Sequence, residues 1–326
     1  MMKKLFALVL LGVITMIAVP AEAQTPQEKF MKYKTAAEQG DPYYQYVLAQ
    51  CYEFGTGVEK NMDLAVKWYT KAAENGDVDA QYDLAFLYYD GYGVEQNSTK
   101  AFEWFMKASL QGDPDAQYYL AECYMYGEGV EQDKAKAIEW LTRSAALDSK
   151  YSQFELGYCY YFGKEVTKDY NKAFNLFLKS AEQDYDEAQY YLGACYYYGN
   201  GVAKNYTKAF EWFMKAAEQG HVESMYEVAI CYEDGEGVAK DQVKAVEWYT
   251  KAAKLGYASA QNNLGWCYKN GLGVAKDLTK AVELFTKAAN NGDTLAMKNL
   301  ADCYENGEGV AKDLEKARYW RNKANE

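Results

Sequence analysis

Apolar residues in this chain recur at helical spacing, and one short pattern of them returns again and again. Ala80, Leu84, Leu87 and Tyr88 fall at i, i+4, i+7 and i+8, which is one face of a helix. After a Gly91-Tyr92-Gly93-Val94 corner, Ala101, Trp104, Ala108 and Ser109 repeat that spacing and predict a second helix. The pair is one copy of a unit. LAECYMYGEGV at Leu120 returns as LAQCYEFGTGV at Leu48, LGACYYYGNGV at Leu192, LGWCYKNGLGV at Leu264 and LADCYENGEGV at Leu300, each a multiple of 36 residues away. Eight units, beginning near Tyr44, Ala80, Ala116, Ser152, Ala188, Ser224, Ala260 and Ala296, follow one another without insertion or deletion. One helix pair cannot bury its apolar stripe alone, so units of this length stack on their neighbours as a solenoid.

Capping residues mark the element boundaries. Asn61, Asn97, Asp133, Asp169, Asn205, Asp241, Asp277 and Asp313 stand three residues after the corner valine position, where a side-chain oxygen meets the free N–H groups of the second helix. Gly76, Gly112, Gly220, Gly256 and Gly292 are placed to end that helix. Asn97-Ser98-Thr99 and Asn205-Tyr206-Thr207 also match the glycosylation acceptor pattern, but both asparagines sit on these caps and capping is the preferred reading. The seven cysteines, at 51, 123, 159, 195, 231, 267 and 303, share one position of the unit, and the remaining unit has Leu87 there. That exchange predicts small apolar core residues. Packed helices lie roughly 8–10 Å apart, beyond the reach of about 7 Å between the Cα atoms of a disulfide, so seven reduced thiols are expected. Single cysteines at this spacing also lack the local pairing of a zinc site.

The pattern A-x-x-x-L-A/G-x-x-Y-x-x-G-x-G-V, then N/D-x-x-K-A-x-x-W, is carried by Ala116, Leu120, Tyr124, Gly127, Gly129, Val130, Asp133, Lys136, Ala137 and Trp140. It resembles the Sel-one-like (SLR) repeat, a relative of the tetratricopeptide repeat. The resemblance implies an all-α fold, an α/α solenoid wound as a right-handed superhelix, with eight repeats over 44–326 and an N-terminal half repeat or cap helix over 24–43. It further implies an adaptor that holds other proteins, with no chemistry of its own and no cofactor. Some exported bacterial members carry two cysteines per unit, bridged within it, and some of those are linked to penicillin binding or β-lactam hydrolysis; this chain departs from them with one. The unit at Ser152 departs further, with Glu165 for the second corner glycine, Leu176 for the tryptophan and Asp184 for the closing glycine, so the resemblance does not fix its local stacking angle.

The first residues change the setting. Lys3 and Lys4, an apolar stretch from Leu5 to Val19 and Ala21-Glu22-Ala23 together read as a signal peptide over 1–23, with export to the periplasm or beyond. Removing it takes the net charge from −12 to −13. An acidic surface argues against nucleic acid, and no later run is apolar enough to span a membrane.

Counted from the motif leucine, the positions at −2, +2, +5 and +6 correspond to those that face the concave groove in tetratricopeptide-like arrays. They are rich in rings in the first five units. Beyond Tyr46 and Phe54, the candidate binding residues are Tyr82, Phe86 and Tyr89, then Tyr118 and Tyr126. Phe154, Tyr158, Tyr161 and Phe162 follow, and then Tyr190, Tyr197 and Tyr198. Tyrosine offers a large contact area with few rotors and a hydroxyl handle. The rings equally suit packing between successive repeats, and acids on the same face suit a basic peptide.

An enzyme is not expected. The single histidine, His221, follows a helix-ending glycine and reads as a solvated loop residue; no serine precedes a lysine in the S-x-x-K arrangement. The reading is therefore a protein or peptide scaffold of the envelope or extracellular space. Wall glycan or peptidoglycan fragments are the alternative ligands, and a hydrolase acting on β-lactams or wall peptides stands third, by analogy alone.

Overall fold

The computed structural model describes residues 24–325; the expected signal peptide lies outside the described residues. Among these, the chain forms helices α1 to α17 and no strand. It divides into two compact units, the first through Gln96 and the second from Asn97. The first holds α1 (Pro26–Glu38), α2 (Pro42–Phe54), α3 (Met62–Glu74) and α4 (Val78–Asp90). The second holds α5 (Ser98–Leu110), α6 (Pro114–Tyr126), α7 (Lys134–Ala146), α8 (Lys150–Phe162), α9 (Tyr170–Ala181), α10 (Asp186–Tyr198) and α11 (Tyr206–Gln219). It continues with α12 (Val222–Asp234), α13 (Gln242–Lys254), α14 (Ala258–Asn270), α15 (Leu278–Asn290), α16 (Thr294–Asn306) and α17 (Leu314–Lys323). Within each unit every helix packs on the next, as an all-α repeat solenoid does.

The caps act where the pattern puts them. Asp133 accepts the Lys136 N–H at 3.0 Å, Asn97 that of Lys100 at 3.0 Å and Asn205 that of Lys208 at 3.0 Å. Asp148 and Asp184 occupy the closing-glycine position and keep its left-handed backbone, at φ 63 and 57°. In the corner, Gly129 lies so close to the Ser98 carbonyl, and Gly201 to that of Tyr170, that a Cβ would overlap it. Each such corner is thereby laid onto the start of the second helix one repeat earlier. Glu165 takes φ 61° at this position and reaches Lys134, 31 residues back, in an ion pair of 2.6 Å. This corner thus keeps its left-handed turn with a charged side chain attached.

The core repeats as well. Tyr69, Phe105, Leu141, Phe177, Phe213, Tyr249 and Phe285, each 36 residues from the next, are fully buried on the second helices. They press on the residue after the motif leucine, which is alanine or glycine for that reason: a Cβ on Gly193 would stand 2.6 Å from the Phe213 ring. All seven cysteines are buried with free thiols, and burial pushes the Cys195 thiol up to about 12. Leu87 is buried in the same place.

Candidate functional site

In the second unit two successive first helices, α6 and α8, leave a cleft between them. Between α6 and α8 it has a volume of about 240 Å³ and is walled by Glu122, Met125 and Tyr126 on one side and Glu155, Tyr158 and Cys159 on the other, with Leu141 of α7 also lining it. Lys134, Lys164 and Glu165 complete the lining. Burial, together with the charges of Glu155 and Glu128, pushes the Glu122 carboxyl up to about 7. Glu155 is raised by burial and by Glu187, against the opposing charge of Lys164. Among the described residues neither carboxylate has an ion-pair partner, while Lys134 and Glu165 are engaged with each other. The Lys164 ammonium lies 4.8 Å from the centre of the Tyr158 ring and 5.7 Å from that of Phe162.

The first unit holds the same construction 72 residues earlier. Gln50, Glu53 and Phe54 face Asp83, Phe86 and Leu87, with Tyr69 in place of Leu141, around about 360 Å³. Burial pushes Asp83 up to about 6.

The predicted rings separate by position. At +6, Tyr126, Phe162 and Tyr198 are 65, 42 and 63 % exposed. At +5, two hydroxyls are occupied by the following repeat: Asn200 donates to Tyr161 at 2.8 Å and Tyr197 donates to Glu236 at 2.5 Å. Lys269 pairs with Glu308 at 2.7 Å from the same position, so +5 clamps the next corner. At −2, Phe154 is 8 % exposed and packs against Tyr185 and Tyr191. Tyr118 lies against Tyr119 and Tyr151, and Tyr190 lies 5.0 Å over the His221 ring. In the first unit Tyr82 meets Phe86 edge-on at 4.9 Å, and Tyr89 lies 6.3 Å from the same ring. Tyr158 belongs to the α6–α8 cleft and Phe86 to its counterpart.

His221 is not the solvated residue expected. It is 7 % exposed and caps α12, its Nδ1 accepting the Ser224 N–H at 3.1 Å, with Nε2 3.4 Å from Glu187. The other first helices mostly draw this acceptor from aspartate or serine; here the imidazole supplies it, and helix packing then covers the ring. Sequence reasoning also missed the carboxylates. Glu122 stands at a +2 position, on the face whose acids suit a basic peptide, yet it was not singled out as a candidate; Glu155 and Asp83 immediately precede the motif leucine, outside the −2, +2, +5 and +6 positions.

Among the described residues no helix is long and apolar enough to cross a membrane, and no group of three or more His, Cys, Asp or Glu residues suits a metal ion. The Sel1 repeat family model matches at 42–77, 78–113, 114–149, 150–185, 186–221, 222–257, 258–293 and 294–326. A protective antigen present in uropathogenic Escherichia coli strains, displaying an SLR fold, superposes with a TM-score of 0.84 at 34% identity. The match covers 91% of this chain and 64% of that one, so this chain spans less than two thirds of the antigen. A Sel1 repeat protein from Oxalobacter formigenes gives 0.66 at 31% identity, over 93% of this chain and 90% of that one. Comparison with curated proteins returned no match. The chain belongs to the Sel1 repeat family, whose fold is typical of protein–protein interaction scaffolds and whose members are generally non-catalytic.

Proposed function

We propose that this Sel1 repeat protein is a non-catalytic scaffold of the cell envelope or extracellular space, holding a protein or peptide along the ring-bearing face of its first helices. The observation that carries this reading is the row of exposed rings at one repeat position, Tyr126, Phe162 and Tyr198, the first of which lines the Glu122–Glu155 cleft. Rings left this exposed give a partner large contact area with little side-chain entropy to lose. The location rests on the leader-like sequence at 1–23. Tyr161 and Tyr197 support the array by clamping the next corner, so a test of binding leaves them intact.

The test is capture from a cell-envelope extract by the chain from Gln24, beside a Tyr126→Ala, Phe162→Ala, Tyr198→Ala variant, read by mass spectrometry. A protein retained by the first and lost by the second, at unchanged far-UV circular dichroism, is the expected result. Equal capture by both overturns the assignment of the face, and retention of muropeptides alone replaces the protein partner with wall glycan.

A further inference from the structure

Resting on the scaffold reading, the nature of the occupant follows from how the cleft between α6 and α8 is built. Its side walls are rings and thioether, Tyr126, Tyr158 and Met125, and two carboxylates, Glu122 and Glu155, stand among them. Aromatic faces attract cations through their quadrupole, and carboxylates that a cation neutralises lose the penalty of burial. The protein supplies its own example. Lys164, carried on the corner after α8, holds its ammonium over the Tyr158 ring at 4.8 Å and its Nζ 3.5 Å from the Tyr158 hydroxyl. The corresponding corner residues Glu128, Glu236 and Glu308 are acidic, so a cation here is not a demand of the repeat.

We infer that this cleft takes a cationic side chain, a lysine ammonium or arginine guanidinium, from a basic segment of the partner, and that Lys164 is its resident competitor. The entering cation lies between Glu122 and Glu155 against the Tyr126 face, and Lys164 yields the Tyr158 ring as it enters. The occupant is thereby specified by charge complementarity and ring contact together.

Fluorescence anisotropy with fluorescein-labelled tetralysine tests this on the purified protein, with tetra-acetyl-lysine as the neutral probe. Glu122→Gln with Glu155→Gln weakens binding about tenfold, as expected for loss of charge inside a desolvated site. Glu211→Gln with Glu247→Gln, an equal change of charge at exposed positions on the second helices, alters it less than about twofold. Lys164→Ala tightens it. Equal losses in the two double variants, equal binding of the acetylated probe, or weaker binding by Lys164→Ala each overturn the inference. Failure of tetralysine alongside continued ring-dependent envelope capture removes this inference and leaves the scaffold reading; loss of ring dependence in the capture removes that reading by itself.

Discussion

Between α6 and α8 the cleft holds Glu122, Tyr126 and Glu155; 36 residues on, between α8 and α10, the same positions hold Tyr158, Phe162 and Tyr191. In the second case the Tyr191 ring fills the space. It stacks on Phe177 at 5.3 Å and meets Tyr158, Tyr161 and Phe162 at 5.6, 5.9 and 6.2 Å. Beneath it Phe177 replaces Leu141. The first helices bounding both clefts have 13 residues and both corners keep the left-handed turn, while α9 has 12 residues to the 13 of α7 and Tyr185 leaves α10 without a side-chain cap. Side-chain choice at three positions turns one opening into acid-lined space and the next into aromatic core.

The sharpest way to break the comparison is to empty the filled cleft. Tyr191→Ala removes a ring touched by several others and destabilises by about 3 kcal/mol, as large core truncations do; Glu155→Ala at the matching position changes stability by less than about 1 kcal/mol. Urea denaturation reads both, and equal effects would show that Tyr191 is not packed as described. Next in size is Gly201→Ala. It drives a Cβ into the Tyr170 carbonyl at a backbone φ of 75° and is expected to destabilise by about 2 kcal/mol. Glu165 sets the contrast, because its left-handed backbone already bears a side chain. Glu165→Gly relieves about 1 kcal/mol of that conformation and loses an exposed ion pair to Lys134 worth about 0.5 kcal/mol, so a small net gain in urea midpoint is expected.

The response to pH bears on the acid-lined cleft alone. The Glu122 carboxyl is raised from 4.5 to about 7, so between these values the folded chain holds more protons than the unfolded one. The stability this group contributes is fully present below the unfolded value and is lost as pH rises through about 7. Around it stand Glu155 on α8, Glu128 and Lys164 on the corners, Lys134 at the start of α7 and Tyr118 on its own helix. The urea midpoint therefore falls between about pH 5.5 and pH 8, and falls less in Glu122→Gln. Tetralysine affinity moves the opposite way over the same range, since the cation needs the charged carboxylate. A wild-type midpoint that falls with pH to the same extent as the variant's would remove Glu122 as the titrating group.

Much of this was legible beforehand. Period, corner and cap are local, and Asp133 or Gly127 announces its role from its own place in the unit because backbone geometry there depends on a few neighbouring residues. The candidate face was legible only in part. The +5 and +6 positions are adjacent along the helix, yet Tyr161 reaches Asn200 in the next repeat while the ring of Phe162 remains 42 % exposed. His221 was misjudged for a related reason: its position after a glycine describes the loop, and its burial comes from Tyr190 and Glu187, more than 30 residues away.

The sequence by itself determined the helices, their pairing into 36-residue repeats and the core identity of the cysteines, because each follows from periodicity and capping within one unit. Tertiary structure alone decided which rings became clamps, which stayed exposed and which carboxylates were drawn into a cleft. Those outcomes depend on contacts between side chains of successive repeats, and their energies depend on how much water the packing of one repeat on the next leaves around each group.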